Sequence, residues 1–275
     1  MAGVGLLPTL RLNGRFNAVL AIVRHSYLTD KDNRMIDLRL GDCLEVMKEI
    51  PNKSIDAIIC DLPYGTTGIK WDSVIPFESL WMQYNRIIKD NGVIVLFGSE
   101  PFSSSLRFSN IEFWKYDWVW NKSIPTGGVA KYRPMKKHEN ILVFYNGKPT
   151  FNPIYEEREN SNSRGKGGFY NKKSEHFNAT FEVKPATEKR KPTTVLNFKS
   201  VPRQKSKHST QKPLDLLEYL VQTYTNKDDT ILDNTMGSGT TMVACKKLGR
   251  NGIGIEKEEK YFKIAQERVN SFAQE

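Results

Sequence analysis

The stretch IDAIICDLPYGTT, residues 55–67, combines an apolar run with an acid, a proline and a tyrosine. The β-branched residues at its start are typical of a strand buried on both faces of a parallel sheet. Asp61 therefore falls at the carboxyl end of that strand, with Pro63 and Tyr64 directly beyond it. Ligands bind at this edge of open α/β sheets, so these side chains are candidates for a reaction centre. A capped turn without chemistry is the alternative interpretation.

A second candidate site is a glycine-rich turn near the end of the chain. A short apolar run ending in Asp233 leads to a loop with Gly237 and Gly239, then to a helical pattern and a strand ending in Glu256. The glycines allow a ligand to approach the backbone, and an acid about twenty residues further on is placed to bind ribose hydroxyls. A tight strand-to-helix turn without a ligand is the alternative interpretation.

The same loop disfavours two common nucleotide sites. The dinucleotide fingerprint requires glycine or alanine at position 242, where this chain has methionine, so a nicotinamide oxidoreductase is disfavoured. No GK[ST] sequence closes the loop, which argues against a P-loop. The pattern therefore predicts a nucleoside ligand without a pyrophosphate.

The positive charge of the chain is concentrated in one segment. The 275 residues include 41 Lys and Arg and 31 Asp and Glu, a net charge of +10. Residues 121–212 hold 20 of the basic and 7 of the acidic residues, so the remainder, with 21 against 24, is slightly acidic. A localised surplus favours an anionic partner such as nucleic acid. A solvated, flexible insertion is the alternative hypothesis.

The cysteines and histidines give no support for disulfide or metal chemistry. The three cysteines form no CxxC pair and fit a reducing compartment, so we expect core thiols in a cytoplasmic protein. The four histidines show no metal-ligand spacing, so no metal site is predicted. The apolar stretch FNAVLAIV is too short to span a bilayer, and no membrane partner is expected. The residues concerned are Cys43, Cys60, Cys245, His25, His138, His176 and His208.

The order of the predicted elements indicates an α/β protein with a doubly wound, mostly parallel sheet. Strand and helix patterns alternate from residue 36, with a helix over 77–92 that ends at Gly92, and resume at His208, where Ser209 or Thr210 can cap a helix. The stretch between them is predicted to be an insertion made of loops apart from one strand. The predicted units are an N-terminal extension or leader, a first half, a basic insertion and a second half, over residues 1–34, 35–120, 121–207 and 208–275.

Four motifs together resemble one enzyme family. DLPYG, HSTQKP, DNTMGSGTT and GIGIE, spread over residues 36–275, are similar to motifs of the S-adenosylmethionine-dependent DNA methyltransferases that modify exocyclic amino groups. The order matches the group whose catalytic motif precedes its cofactor motif. The resemblance implies a Rossmann-like methyltransferase fold, S-adenosylmethionine as cofactor, and double-stranded DNA recognised by the basic insertion. A homodimer and a cognate restriction endonuclease are candidate further partners.

The resemblance assigns Asp61, Leu62, Pro63 and Tyr64 to the catalytic motif. The lone pair of an adenine N6 or cytosine N4 amino group is delocalised into the ring, which makes the nitrogen a poor nucleophile. Hydrogen bonds accepted by the Asp61 carboxylate and the Leu62 carbonyl would make that lone pair available for direct attack on the sulfonium methyl. The base must first be flipped out of the duplex, where Tyr64 can stack on it. Pro63 stiffens the loop.

The resemblance also implies a set of residues around the cofactor. The set is Asp42 near the adenine ring, Thr210, Gln211 and Lys212 over the amino-acid end, Asp233, Gly237, Ser238 and Gly239 beneath the methionine portion, and Glu256 at the ribose. Helix capping by Asp42 and Thr210, and a solvated charge at Lys212, are the alternative interpretations.

Two positions depart from the family pattern and bear on the function. Leu62 replaces the usual first proline, which matters little because the backbone carbonyl does the work there. Asn234 and Thr235 replace the usual Pro-Phe pair, whose aromatic ring packs near the cofactor. A catalytically silent nucleic-acid-binding relative therefore stays an alternative. Asp61 favours adenine N6 as the target over cytosine N4, which is the second alternative, and it disfavours methylation of protein glutamine.

Overall fold

The structure is a computed structural model, and it describes residues 24–29, 34–69, 72–126, 131–132, 134–157, 170–174, 179–183, 189–202, 204 and 211–272. Of the residues expected at the site, Thr210 lies outside this part of the chain.

The described residues form thirteen strands and six α-helices. The strands are β1 (Arg24–Thr29), β2 (Met35–Leu40), β3 (Ile55–Cys60), β4 (Ile88–Gly98), β5 (Trp114–Thr126), β6 (Lys136–Phe144), β7 (Glu156–Glu157), β8 (Tyr170–Ser174), β9 (Ala179–Val183), β10 (Lys189–Arg190), β11 (Val195–Phe198), β12 (Thr230–Asp233) and β13 (Asn251–Glu256). The helices are α1 (Cys43–Val46), α2 (Phe77–Ile87), α3 (Phe102–Ser109), α4 (Leu214–Tyr224), α5 (Thr240–Leu248) and α6 (Glu259–Ser271).

Nine of these strands form one mixed sheet in the order β1-β2-β13-β12-β3-β4-β6-β5-β11. The five strands from β2 to β4 in this order run parallel. The flanking strands β1 and β6 are antiparallel to their neighbours, and β11 runs parallel to β5. The predicted α/β fold with a mostly parallel sheet is confirmed.

Helices cover both faces of the sheet, which buries most residues of its central strands. α4, α5 and α6 contribute to one apolar cluster, and α1, α2 and α3 contribute to the other. In β3, Ile58 and Ile59 belong to opposite clusters and are both fully buried. The continuous apolar run in this strand reflects that double burial.

The site is positioned where the direction of winding reverses, between β3 and β12. These strands are parallel neighbours, with Ala57 opposite Ile231 and Ile58 opposite Leu232. The chain leaves β3 toward α2 on one face and leaves β12 toward α5 on the other. The two loops therefore diverge and leave a crevice at the carboxyl edge of the sheet.

Two helix ends differ from the sequence-based prediction. The helix predicted to reach Gly92 ends at Ile87, because Ile88 already pairs with Ile55 in the sheet. α4 begins at Leu214, directly after Pro213, with no side-chain cap. The predicted cap at Ser209 or Thr210 is therefore wrong, since the helix starts later in the sequence than either residue.

The main sheet takes strands from the segments predicted as an N-terminal extension and a basic insertion. β1 belongs to the predicted leader, residues 1–34, but pairs with β2 along all six of its residues. β6, β11 and the second half of β5 belong to residues 121–207, predicted as an insertion of loops with one strand. β1 and β11 are the edge strands of the sheet, whereas β6 and β5 lie inside it, and the sequence patterns of these strands do not reveal which neighbours they pair with.

Candidate active site

Asp61 follows β3 directly, and both of its carboxylate oxygens have partners. Oδ1 accepts a hydrogen bond from the Tyr64 hydroxyl at 2.8 Å, and Oδ2 accepts one from Nζ of Lys212 at 2.5 Å. Burial raises the pKa of Asp61, while the charge of Lys212 opposes that rise. The ammonium group of Lys212 thus favours the ionised carboxylate, the form that can only accept hydrogen bonds.

The remaining catalytic-motif residues are held between the core and a cleft. The Tyr64 ring stacks on Phe102, with ring centroids 5.0 Å apart. Leu62 is buried in the apolar cluster beneath α1 to α3, and Pro63 lines the cleft. The motif therefore has a fixed conformation on a rigid strand end.

Asp72 fixes the loop that follows the motif, and sequence reasoning missed it. Its carboxylate accepts hydrogen bonds from the N–H groups of Gly65, Thr66 and Thr67 and from the Thr67 hydroxyl, at 2.6 to 3.0 Å. Burial would raise the pKa of Asp72, but these bonds outweigh it and lower the pKa. The only sequence signal was an acid in a polar loop after the motif, which is common and unspecific.

The glycine loop orients the acid predicted to bind ribose. Gly237 adopts a left-handed conformation, with φ of 53°, and its N–H donates to Oε2 of Glu256 at 2.9 Å. Oε1 accepts a second bond, from the N–H of Glu258 at 2.8 Å. Burial raises the pKa of Glu256, and these N–H groups oppose the rise. Each oxygen keeps a further lone pair for a ligand hydroxyl.

Gly239 serves helix packing and does not line the cleft. Its φ is 74°, and a Cβ built there would lie 2.9 Å from Cβ of Ala265 in α6. The close approach of α5 to α6 therefore requires glycine, and the role of Gly239 beneath the cofactor stays a prediction. Ser238 lines the cleft, and Arg268 donates to its carbonyl at 2.6 Å and to its hydroxyl at 2.8 Å.

Three further residues expected around the cofactor lie at this edge of the sheet, and one of them, Lys212, contacts the catalytic motif. Asp42 caps α1, where its Oδ1 accepts from the N–H of Leu44 at 3.0 Å, and it also lines the cleft. Gln211 lines the cleft beside Ser238. Lys212, expected over the cofactor, contacts the catalytic-motif residue Asp61.

Asp233 is buried at the end of β12 beneath the loop. Burial raises its pKa to about 7, although the N–H of Thr235 donates to Oδ1 at 3.2 Å and opposes the rise. A carboxyl group in this state changes its ionisation readily when a charged ligand binds nearby.

A line of charges continues from Lys212 into the antiparallel part of the sheet. Nζ of Lys212 lies 3.4 Å from Oε2 of Glu139 in β6, and Lys122 in β5 donates to Oε1 of the same carboxylate. Burial would raise the pKa of Glu139, but the two lysines outweigh it and hold the pKa below its usual range. Sequence reasoning missed Glu139 and Lys122 because they belong to no motif and meet only through strand pairing.

The acids and lysines of this site open on one cleft with a volume of about 1420 Å³. That is larger than the roughly 300 to 1,000 Å³ typical of a small-ligand site, so two ligands can lie side by side. Its charged lining includes Asp42, Asp61, Asp72, Lys122, Glu139, Lys212, Asp233 and Glu256.

The family model described as DNA methylase, of the N6/N4 methyltransferase type, matches residues 55–267. The chain belongs to this DNA methylase family. The matched region runs from β3 to α6 and includes both the catalytic motif and the glycine loop.

Two curated relatives of this DNA methylase are type II methyltransferases. M.HinfI from Haemophilus influenzae is 32% identical over 257 residues, which cover 83% of this chain and 67% of that protein. M.HpaI from Haemophilus parainfluenzae is 29% identical over 262 residues, which cover 87% of this chain and 75% of that protein.

Solved structures show the same fold. The M1.HpyAVI–SAM complex is 29% identical, with a TM-score of 0.58, over 85% of this chain and 98% of that one. The cytosine-N4-specific PvuII DNA methyltransferase has a TM-score of 0.60 over 86% of this chain and 87% of that one. At 15% identity the second likeness concerns the fold alone.

The described part of this DNA methylase offers neither a membrane span nor a metal site. None of its helices there is long and apolar enough to cross a membrane. Within the same residues, no group of three or more His, Cys, Asp or Glu side chains could hold a metal ion. The cysteines Cys43, Cys60 and Cys245 are free and buried.

Proposed function

We propose that this DNA methylase transfers a methyl group from S-adenosylmethionine to the N6 amino group of adenine at a specific site in double-stranded DNA. The observation that carries the proposal is that the loops after the neighbouring strands β3 and β12 line the same cleft. Asp61 on one loop and Gly237 and Glu256 around the other line the same cleft. A cofactor that contains a nucleoside and a base flipped out of DNA would lie next to each other in this cleft.

The cofactor pocket fits S-adenosylmethionine in its donor and acceptor groups. The Glu256 carboxylate can accept from ribose hydroxyls, and Gly237 brings backbone close to the cleft. Asn234 is buried at the cleft, and its Nδ2 has no oxygen or nitrogen hydrogen-bond partner among the described residues. Its contact with the Cys43 thiol is a weak hydrogen bond, so an oxygen or nitrogen acceptor on a bound ligand would satisfy this buried donor better. When bound, the cofactor supplies an electrophilic methyl on a sulfonium.

The chain itself supplies hydrogen-bond acceptors for the target amino group. The Asp61 carboxylate and the Leu62 carbonyl would accept its two N–H groups, which draws the nitrogen toward tetrahedral geometry. Tyr64, already stacked on Phe102, offers an aromatic face for the flipped base. No side chain of the protein needs to become covalently attached.

Double-stranded DNA is the substrate that best fits the charge distribution. Exposed lysines of the described basic segment, such as Lys131, Lys137 and Lys199, can neutralise phosphates near the cleft. A homodimer and a restriction endonuclease of matching specificity are proposed as partners, the second because curated relatives are type II methyltransferases.

The test is to incubate the purified chain with mixed-sequence duplex DNA and labelled S-adenosylmethionine, digest the DNA and identify the methylated nucleoside by mass. N6-methyldeoxyadenosine is the expected product. N4-methyldeoxycytidine as the product would mean that the target is cytosine N4 and not adenine N6, with the same transfer chemistry. Bound cofactor without a methylated base, or no cofactor binding, would favour a silent relative.

Asp61→Asn is the matched control for that assay. It keeps the size of the side chain and a hydrogen-bond acceptor but removes the charge, so Lys212 retains Glu139 as its carboxylate partner. We expect methyl transfer to fall by about a hundredfold or more while cofactor binding stays within a few-fold. Unchanged turnover would contradict the role given to Asp61.

A further inference from the structure

Lys212 lies between two carboxylates at the catalytic centre. Its Nζ is 2.5 Å from Oδ2 of Asp61 and 3.4 Å from Oε2 of Glu139. The same atom lies over the Phe97 ring, 5.0 Å from the centroid, and 5.9 Å from that of Tyr64. The side chain is only 9% exposed, so the ammonium group depends on these partners.

This arrangement conflicts with what the reaction requires of Asp61. A carboxylate that is paired with an ammonium group is a weaker acceptor for a neutral amino group, because its charge is already compensated. Lys212 cannot simply withdraw, since an unpaired buried charge is strongly unfavourable. Within 4 Å of Nζ, the one other carboxylate among the described residues is Glu139.

We propose that Glu139 is a positioning residue, which takes Lys212 from Asp61 when the target amino group enters and so frees the Asp61 carboxylate to accept it. The inference rests on the proposed function. No covalent bond changes in this step, and Lys212 keeps its proton. The ammonium group has to travel only far enough to shorten the present 3.4 Å separation to hydrogen-bond distance.

Lys122 sets how strongly Glu139 attracts Lys212. Its ammonium group is paired with Oε1 of Glu139, whereas Lys212 approaches Oε2, so the two lysines use different oxygens. Charges therefore alternate along the line from Asp61 to Lys122 and sum to zero. Removal of Lys122 leaves the Glu139 carboxylate in place, whereas removal of the Glu139 charge leaves Lys212 with Asp61 alone.

The first variant to test is Glu139→Gln, with wild-type protein and Glu218→Gln as references. Glu218 is paired with Lys247 and does not line the cleft, so it controls for loss of a glutamate charge. We expect kcat for Glu139→Gln to fall about tenfold or more, with the KM and the Kd for S-adenosylmethionine within about twofold of wild type. Fluorescence of 2-aminopurine at the target position should rise more slowly than with wild type, because the base is accepted more slowly.

Lys122→Gln separates this inference from a merely structural role. It breaks the same ion pair as Glu139→Gln but leaves the carboxylate available to Lys212. The kcat of Lys122→Gln should therefore be about tenfold or more above that of Glu139→Gln, even when the two variants have the same Tm. Equal losses in the two variants, tracking equal losses of Tm, would overturn the inference.

The inference and the proposed function fail in different ways. If wild-type protein methylates DNA and Glu139→Gln does so at the same kcat, Glu139 has no such role and the proposed function stands. If wild-type protein methylates neither base, the proposed function is overturned and this inference with it.

Discussion

The hydroxyl of Thr235 donates to the backbone carbonyl of Asp61 at 2.9 Å, which joins the cofactor loop to the catalytic motif across 174 positions of sequence. The same hydroxyl lies 2.9 Å from Sγ of Cys60. Thr235 stands where the family pattern has an aromatic residue. This directed hydrogen bond holds the backbone of Asp61 in register with the loop.

Thr235→Val should slow methyl transfer while leaving cofactor binding within a few-fold. Valine has nearly the same shape but no hydroxyl, so the Asp61 carbonyl loses a hydrogen bond worth about 1 kcal/mol and the motif can shift. The measurement is single-turnover methylation, with cofactor Kd by calorimetry. Thr235→Ser, which keeps the hydroxyl, is the control and should retain most activity. Equal rates for the valine and serine variants would show that the bond does not position Asp61.

Glu256→Gln should weaken cofactor binding and leave DNA affinity unchanged. The amide NH₂ would face an N–H of Gly237 or Glu258, and the ribose would lose a charged acceptor. We expect the Kd for S-adenosylmethionine to rise about tenfold or more, with DNA affinity unchanged. Glu259→Gln, on the exposed start of α6, is the control. An effect confined to DNA affinity would contradict the ribose assignment.

The stability of the protein should depend on pH through Asp233. Burial raises its pKa to about 7 in the folded state, whereas an aspartate in an unfolded chain has a pKa of about 3.9, so the unfolded chain loses this proton first as pH rises. The contribution of Asp233 to stability therefore falls by about 1.4 kcal/mol per pH unit between pH 4 and 7, and is fully lost above pH 7. Asp233→Asn removes this proton, so its stability relative to wild type should rise from pH 5 to pH 8. Urea unfolding at both pH values tests this, with Asp90→Asn, an exposed site, as control.

The same raised pKa predicts proton release on cofactor binding. A cationic sulfonium near Asp233 would favour its ionised form, so part of this proton should be released near pH 7 when S-adenosylmethionine binds. Calorimetry in phosphate and in Tris buffer, whose ionisation enthalpies differ, measures the number of protons. Asp233→Asn should abolish the buffer dependence, and a dependence that persists in this variant would assign the proton to another group.

Neutralising the basic segment should weaken DNA binding in a salt-dependent way. For Lys131→Gln, Lys137→Gln and Lys199→Gln, we expect a lower affinity and a salt slope reduced by about 0.9 for each lost phosphate contact. Fluorescence anisotropy at several salt concentrations measures the slope. Lys263→Gln, on α6 beside Glu259, is the control. A slope unchanged by all three substitutions would move the DNA interface elsewhere.

The motifs at strand ends were predictable because their chemistry depends on short, local spacing. A buried strand followed by an acid, and a glycine loop between a strand and a helix, place Asp61, Gly237 and Glu256 at one edge of a parallel sheet. Helix α2 shows the limit of such patterns, since its periodicity continues through Ile88 while the pairing of Ile88 with Ile55 ends it.

Glu139 and Lys122 could not be predicted because each acquires its role from a partner on another element. Asp72 binds nearby residues, but an acid in a polar loop is too common to predict such a role. Glu139 and Lys122 reach the cleft only because β6 lies between β4 and β5 in the sheet. The sequences of β5 and β6 do not indicate that strand order. Likewise, the identity of Thr235 was visible in the sequence as a departure from the family, but its bond to the Asp61 carbonyl depends on two strands being neighbours.

That bond has a consequence for how the protein matures. Because two partners of Asp61, Lys212 and Thr235, lie 151 and 174 positions further along the chain, the centre exists only after very long loops have closed, and such contacts form slowly. A chain emerging from the ribosome carries the catalytic motif early, yet without Lys212 and Thr235 it has no working arrangement around it. Methyl transfer should therefore begin only when the last strands are in place, which would make activity a strict reporter of complete folding.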